Sequence, residues 1–134
     1  MHISFLPYNR GADPNFWSFI EDTPKGVTIH YIDEGIDTGD IIAQKKVIFA
    51  KNETLATTYK KLHGEIKKLF MEHWKGIKNC KCSRKKQMGR GSFHIAKDKN
   101  PLLHLLIKGW DTPISYLKKA KAGIDRKVIV KNEK

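Results

Sequence analysis

No apolar run in the 134 residues approaches the roughly 20 needed to cross a bilayer. The N-terminal stretch His2-Ile3-Ser4-Phe5-Leu6-Pro7 also lacks the charged segment and long apolar core of a secretory leader. Neither a membrane helix nor a signal peptide is expected, and a soluble protein of the cytoplasm follows by default. Cysteine is scarce. Cys80 and Cys82 are the only two, too close for an easy disulfide with each other and too few for a disulfide framework. Cys-Lys-Cys with a histidine could ligate a metal, but no second paired motif accompanies it, and no metal is expected. Acidic residues are few, 14 against 26 Lys and Arg, so the formal net charge is +12. That balance favours anionic partners: nucleotide-sugars, polyglutamylated folates, RNA or acidic lipid surfaces. No repeat or long linker divides the chain, and its length suits one domain, or part of one, with a modest core.

The pattern that is present reads as alternating short elements. A short apolar stretch ends at Leu6-Pro7, and Tyr8-Asn9-Arg10-Gly11 has turn composition. A helix then starts with Asp13 as its expected cap and Pro14 at its first position, buries Phe16, Trp17, Phe19 and Ile20, and stops near Thr23-Pro24. From Gly26 the alternation predicts a strand to Ile32, with Val27, Ile29 and Tyr31 on one face and Thr28, His30 and Ile32 on the other. A second strand is predicted over Ile41 to Phe49. Asn52 is the expected cap of a long amphipathic helix in which Leu55, Tyr59, Leu62, Ile66, Leu69, Phe70 and Trp74 form the buried stripe, ending near Gly76. The basic segment Lys75 to Arg90 has no clear period and reads as a solvated loop, with nucleic-acid contact as the alternative. Beyond it, Ser92 to Ile95 reads as a short strand and Leu102 to Leu106 as a helical turn or two. Gly109 to Pro113 reads as a turn before a Lys-rich tail that frays after Ala122.

The segment between the two central strands, Asp33-Glu34-Gly35-Ile36-Asp37-Thr38-Gly39-Asp40, is the most informative. Its polar, glycine-rich composition makes it a loop, and its four acidic side chains repel one another unless turns, backbone donors or a partner compensate. Composition alone favours a solvated hairpin loop. A calcium site is disfavoured, because the glycine and final-glutamate spacing of an EF-hand is missing.

Four motifs in order change that reading: His2-x-Ser4-x-Leu6-Pro7, Arg10-Gly11-Ala12, Gly26-Val27-Thr28-Ile29-His30, and the acidic loop continued to Ile41. Together they resemble the 10-formyltetrahydrofolate-dependent formyltransferases that act on glycinamide ribonucleotide, methionyl-tRNA and sugar amines. A weaker likeness through Gly91-Ser92-Phe93-His94 and Gly109-Trp110-Asp111-Thr112-Pro113 is to the sugar-amine branch. The resemblance implies formyl transfer from 10-formyltetrahydrofolate to an amine, with a nucleotide-linked amino sugar as the preferred small-molecule acceptor. It makes His2 and Asp37 the catalytic pair. His2, when protonated, would stabilise the developing oxyanion, and Asp37 would favour the imidazolium and help move the proton lost by the amine. It sets the pterin of the formyl donor against the backbone of Asp33, Glu34, Gly35, Ile36 and Asp37, and it makes a cis Leu6–Pro7 bond an expectation.

In the family's Asn-x-His signature the asparagine stands two residues before the histidine, a position that precedes Met1. The resemblance therefore implies an incomplete α/β, Rossmann-like domain over residues 1–122, two strands flanking an acidic loop plus a long helix, followed by a basic tail, 123–134. The parallel-sheet half that precedes it would be missing: lost to a truncated reading frame, carried by a separate chain, or absent from a degenerate descendant. The strand at Val27 would then expose an edge, so marginal stability or homo-oligomerisation is expected. A noncatalytic folate-binding or interaction module, or transfer to methionyl-tRNA, are the alternative functions; RNA is a minor partner and a membrane none. His30 is read as a hydrogen-bonded neighbour of the acidic loop, and His30, His63, His73, His94 and His104 are assigned no catalysis.

Overall fold

The computed structural model describes residues 1–120; the expected frayed tail and the basic stretch 123–134 lie outside the described residues. The elements run β1 (Arg10–Gly11), α1 (Pro14–Ile20), β2 (Gly26–His30), β3 (Ile41–Lys46), α2 (Leu55–Lys78) and β4 (Phe93–His94). A 3-10 segment, Ala96–Leu105, and a shorter one, Gly109–Asp111, follow, and residues 114–120 are helical. The architecture is mixed α/β, with two strands flanking the acidic loop and one long helix against them, as expected.

β2 and β3 pair antiparallel from Gly26↔Lys46 to Ile29↔Ala43; the register then slips, so His30 faces Ile41. One face of this ribbon is covered by α2, where Val27, Ile29 and Val47 meet Leu62, Ile66 and Leu69. The other cluster joins α1 to the C-terminal part through Phe16, Trp17, Phe19, Leu55, Leu105 and Leu117. β1 lies parallel to β4, with Arg10 opposite Phe93 and Gly11 opposite His94. Next to that pairing, His94 stacks on Trp17 with ring centroids 3.6 Å apart and pairs with Glu21.

The first six residues gain their place from Thr28. Its backbone exchanges two 2.9 Å hydrogen bonds with His2. Its hydroxyl donates to the Ser4 carbonyl at 2.7 Å and accepts from the Leu6 amide and the Gln44 side chain. Thr28 is fully buried, so these bonds have no water to replace them. The Leu6–Pro7 bond that closes this segment is cis.

Several local expectations are corrected. Asp13 occupies the cap position of α1 but makes no side-chain cap bond; it is left-handed (φ 51°) and its carboxylate instead receives Lys99 at 2.9 Å. α2 is capped by Thr54, not Asn52: Thr54 and Thr57 exchange side-chain to backbone bonds, a reciprocal box that satisfies two free amides. Its buried stripe is Leu55, Thr58, Leu62, Ile66 and Leu69, while Tyr59 and Trp74 are exposed. Thr58 takes the inward place because its hydroxyl bonds Asn15 of α1, a polar contact that apolar periodicity does not register. β2 ends at His30 and β3 at Lys46, each short of its expected end. The basic segment is not a plain solvated loop. α2 extends through Lys78, and Lys85 exchanges two backbone bonds with Ile41, continuing the ribbon on the far side of β3.

Thr28→Val keeps the shape and removes the hydroxyl, leaving the Leu6 amide and Ser4 carbonyl unpartnered in the interior. A loss of about 1–3 kcal/mol in urea denaturation is expected; a loss within about 0.5 kcal/mol, typical of surface changes, would contradict this role.

Candidate active site

Three constraints fold the acidic loop back on itself. Tyr31 donates to the Asp40 carbonyl at 2.9 Å and closes the loop's base. Gly39 lies against that base, where any Cβ would run into the Tyr31 carbonyl. Asp37 adopts the left-handed conformation, φ 55°, which aspartate tolerates better than most side chains. The turn directs the Asp37 carboxylate inward, where the Gly11 amide donates to its Oδ2 at 2.9 Å.

Two imidazoles flank that carboxylate. His2 Nδ1 lies 3.6 Å from Oδ2, and His30 Nε2 lies 3.3 Å from Oδ1. The far nitrogen of each ring is committed: His2 Nε2 donates to the Asn9 carbonyl at 2.8 Å, and His30 Nδ1 donates to the Tyr31 carbonyl at 2.7 Å. Those carbonyls accept only, so each neutral ring keeps its proton on the far side and turns a lone pair toward Asp37. One added proton anywhere in the His2–Asp37–His30 row converts a lone-pair contact into a charge-assisted hydrogen bond.

Burial is the largest influence on His2 and holds its pKa below the ordinary imidazole value of 6.5. The Asn9 bond and the Asp37 charge act in the opposite direction, and His30 and the N-terminus add to the lowering. His2 is therefore neutral at pH 7, whereas the sequence reading began from its protonated form.

The repulsion among the four acidic residues is resolved locally. Asp33 Oδ1 accepts from Thr38 at 2.6 Å and from the Gly35 amide at 3.0 Å, and these bonds hold its carboxyl below the usual range. Asp40 is paired with Arg84 at 3.1 Å, and the Arg84 guanidinium lies 3.8 Å above the Tyr31 ring. Glu34 faces solvent. Of the residues expected to form the site, His2 and Asp37 come together, while Asp33, Glu34, Gly35 and Ile36 form the exposed outer turn. Among the described residues, the backbone amides of Glu34 and Ile36 donate to no protein acceptor, which leaves polar backbone open at the rim of the site. His30, assigned no catalysis from sequence, touches the carboxylate directly. The signal for it lay in its position, at the last residue of β2 next to the acidic loop and on the same alternating face as Thr28.

The formyl transferase family model matches residues 1–73, which carry this whole arrangement of His2, His30 and Asp37. The chain belongs to the formyl transferase family. Among characterised members, the dTDP-4-amino-4,6-dideoxyglucose formyltransferase of Mycobacterium tuberculosis is 31% identical over 122 residues, 91% of this chain and 52% of that protein. A methionyl-tRNA formyltransferase of Agathobacter rectalis is 44% identical over a shorter stretch, 59% of this chain and 26% of its own length. Among solved structures, the formyltransferase PseJ from Anoxybacillus kamchatkensis is 57% identical with a TM-score of 0.85, covering 87% of this chain and 61% of that one. It was crystallised with UDP-4,6-dideoxy-4-formamido-L-AltNAc and tetrahydrofolate. The chain thus spans about half the length of the Mycobacterium relative.

In this family member the His2 ring, followed by NMR titration, is expected to protonate with a midpoint below 6.5. Asp37→Asn removes the anion that favours the imidazolium and should lower that midpoint further. A midpoint at or above 6.5 in the unsubstituted chain would contradict the burial of this ring.

Proposed function

We propose that the chain is the part of a sugar N-formyltransferase that carries the catalytic loop, moving a formyl group from 10-formyltetrahydrofolate to the amine of a nucleotide-linked amino sugar. The observation that carries this reading is the carboxylate of Asp37 set between the imidazole rings of His2 and His30, beside a loop whose outer backbone is open. The formyl donor supplies an activated one-carbon unit when bound. Asp33, Glu34, Gly35, Ile36 and Asp37 would hold its pterin, since the free amides of Glu34 and Ile36 can read a hydrogen-bonding edge.

Neutral His2 suits this chemistry. An amine that attacks a formyl carbon must shed a proton, and the Nδ1 lone pair beside Asp37 is placed to take it. The imidazolium formed in this way is paired with the Asp37 carboxylate. That proton, held between Nδ1 and Asp37, can then pass on to the departing nitrogen as its bond to the formyl carbon breaks. A ring already protonated at rest could not begin this sequence.

The extent of the likeness favours a sugar amine over methionyl-tRNA. The sugar-modifying relatives align through 87–91% of the chain, whereas the tRNA-modifying relative aligns with 59%. We further propose that residues 1–122 act as one partial catalytic unit within the cytoplasm.

The test is formyl transfer to a panel of UDP- and dTDP-linked amino sugars, with methionyl-tRNA alongside. Asp37→Asn should reduce the rate by about 10²- to 10⁴-fold with the circular dichroism spectrum unchanged. Folate binding with no transfer, indifferent to Asp37→Asn, would instead establish a noncatalytic folate-binding module.

A further inference from the structure

We propose that Gln87 is a positioning residue for Asp37, an inference that rests on reading Asp37 as the site's carboxylate. Between Ser83 and Arg90 it is the one residue that is not exposed. Its carboxamide is fully engaged. Nε2 donates to the Asp37 carbonyl and to the Gly39 carbonyl, both at 2.8 Å. Oε1 accepts from Arg10 Nε at 3.1 Å and Nη2 at 2.7 Å.

These four bonds connect the two things that fix the Asp37 carboxylate. The donated pair clamps the backbone on either side of Thr38, including the left-handed residue that carries the carboxylate. The accepted pair holds Arg10, whose neighbour Gly11 donates its amide to Asp37 Oδ2. One side chain therefore sets the distance between the carboxylate and its amide donor from both ends. An amide is required for this: a carboxylate cannot donate to the carbonyls, and an amine cannot accept from the guanidinium. The strand-like pairing of Lys85 with Ile41, two residues earlier, and the Arg84 contact with Asp40 bring Gln87 over the loop.

The effect to be read is displacement of the carboxylate from the imidazoles. The groups facing His2 are Asp37, His30, the Asn9 carbonyl and the N-terminus. Gln87→Met alters none of them, adds no charge and keeps the volume. In the full 134-residue chain, Gln87→Met should shift the His2 titration midpoint in the same direction as Asp37→Asn, by a smaller amount. It should also lower kcat for formyl transfer by about 10- to 100-fold, the cost of a displacement near 1 Å. Met88→Ala, a neighbouring change at an exposed position, should move neither quantity. An unmoved His2 midpoint in folded Gln87→Met overturns the proposal. Should that variant fail to fold, the unsubstituted chain decides: both Gln87 Nε2 protons should exchange with solvent far more slowly than those of exposed Asn52 and Asn100, and equal rates overturn the proposal. If the unsubstituted chain transfers no formyl group, the reading of this chain as active by itself fails, while the titration and exchange measurements still decide the role of Gln87.

Discussion

The Asp37 carboxylate is the point on which separate stretches of chain converge. It receives the Gly11 amide from β1, lies beside His2 from the N-terminal segment and His30 from the end of β2, and its own backbone is gripped by Gln87 from beyond α2. A partly buried carboxylate with one amide donor is under-satisfied, and burying such a charge is costly unless partners are held ready. The surrounding loop is shaped to supply them. The left-handed turn at Asp37, the glycine at 39 and the closed base at Tyr31 aim the carboxylate inward; the Thr28 hub and the end of β2 at His30 bring the rings to it.

How far this was legible in the sequence depends on the range of each interaction. Local signals served well: the long helix, the two central strands and the intervening loop were visible because hydrophobic period and glycine content act over neighbouring residues. The pairing of His2 with Asp37 came from motif resemblance, since nothing in their spacing of 35 positions makes them neighbours. His30 and Gln87 were not found as site residues. His30 was legible as a neighbour of the acidic loop but not as a contact of the Asp37 carboxylate itself, and Gln87 lies in a charged run with no period at all. Both owe their roles to the tertiary path of the chain. The cap of α2 was misplaced for a smaller reason: Asn52 and Thr54 are both good caps, and the choice falls to Thr54 because Thr57 completes the reciprocal bond.

The basic composition also acquires a more specific meaning. Part of it engages the chain's own acceptors: Lys25 donates to the Ser18 and Thr23 carbonyls, Lys61 to the Ile48 carbonyl, Lys45 pairs with Glu65, Lys99 with Asp13 and Arg84 with Asp40. Isolated surface pairs of this kind contribute little to stability. Their distribution matters more, because they tie down segment ends and loops instead of forming one continuous stripe. A stripe is the footprint expected of a nucleic-acid track. A net charge of +12 on a chain whose candidate site is centred on one carboxylate also suits small anionic reactants. The excess raises their rate of encounter, while the site carries a carboxylate that neither an anion nor a phosphate backbone would seek. Under the proposed function, recognition of a polyanion and proton transfer at Asp37 would place opposite electrostatic demands on the site, and a small reactant that brings its amine to Asp37 with its phosphates held away from the carboxylate would satisfy both.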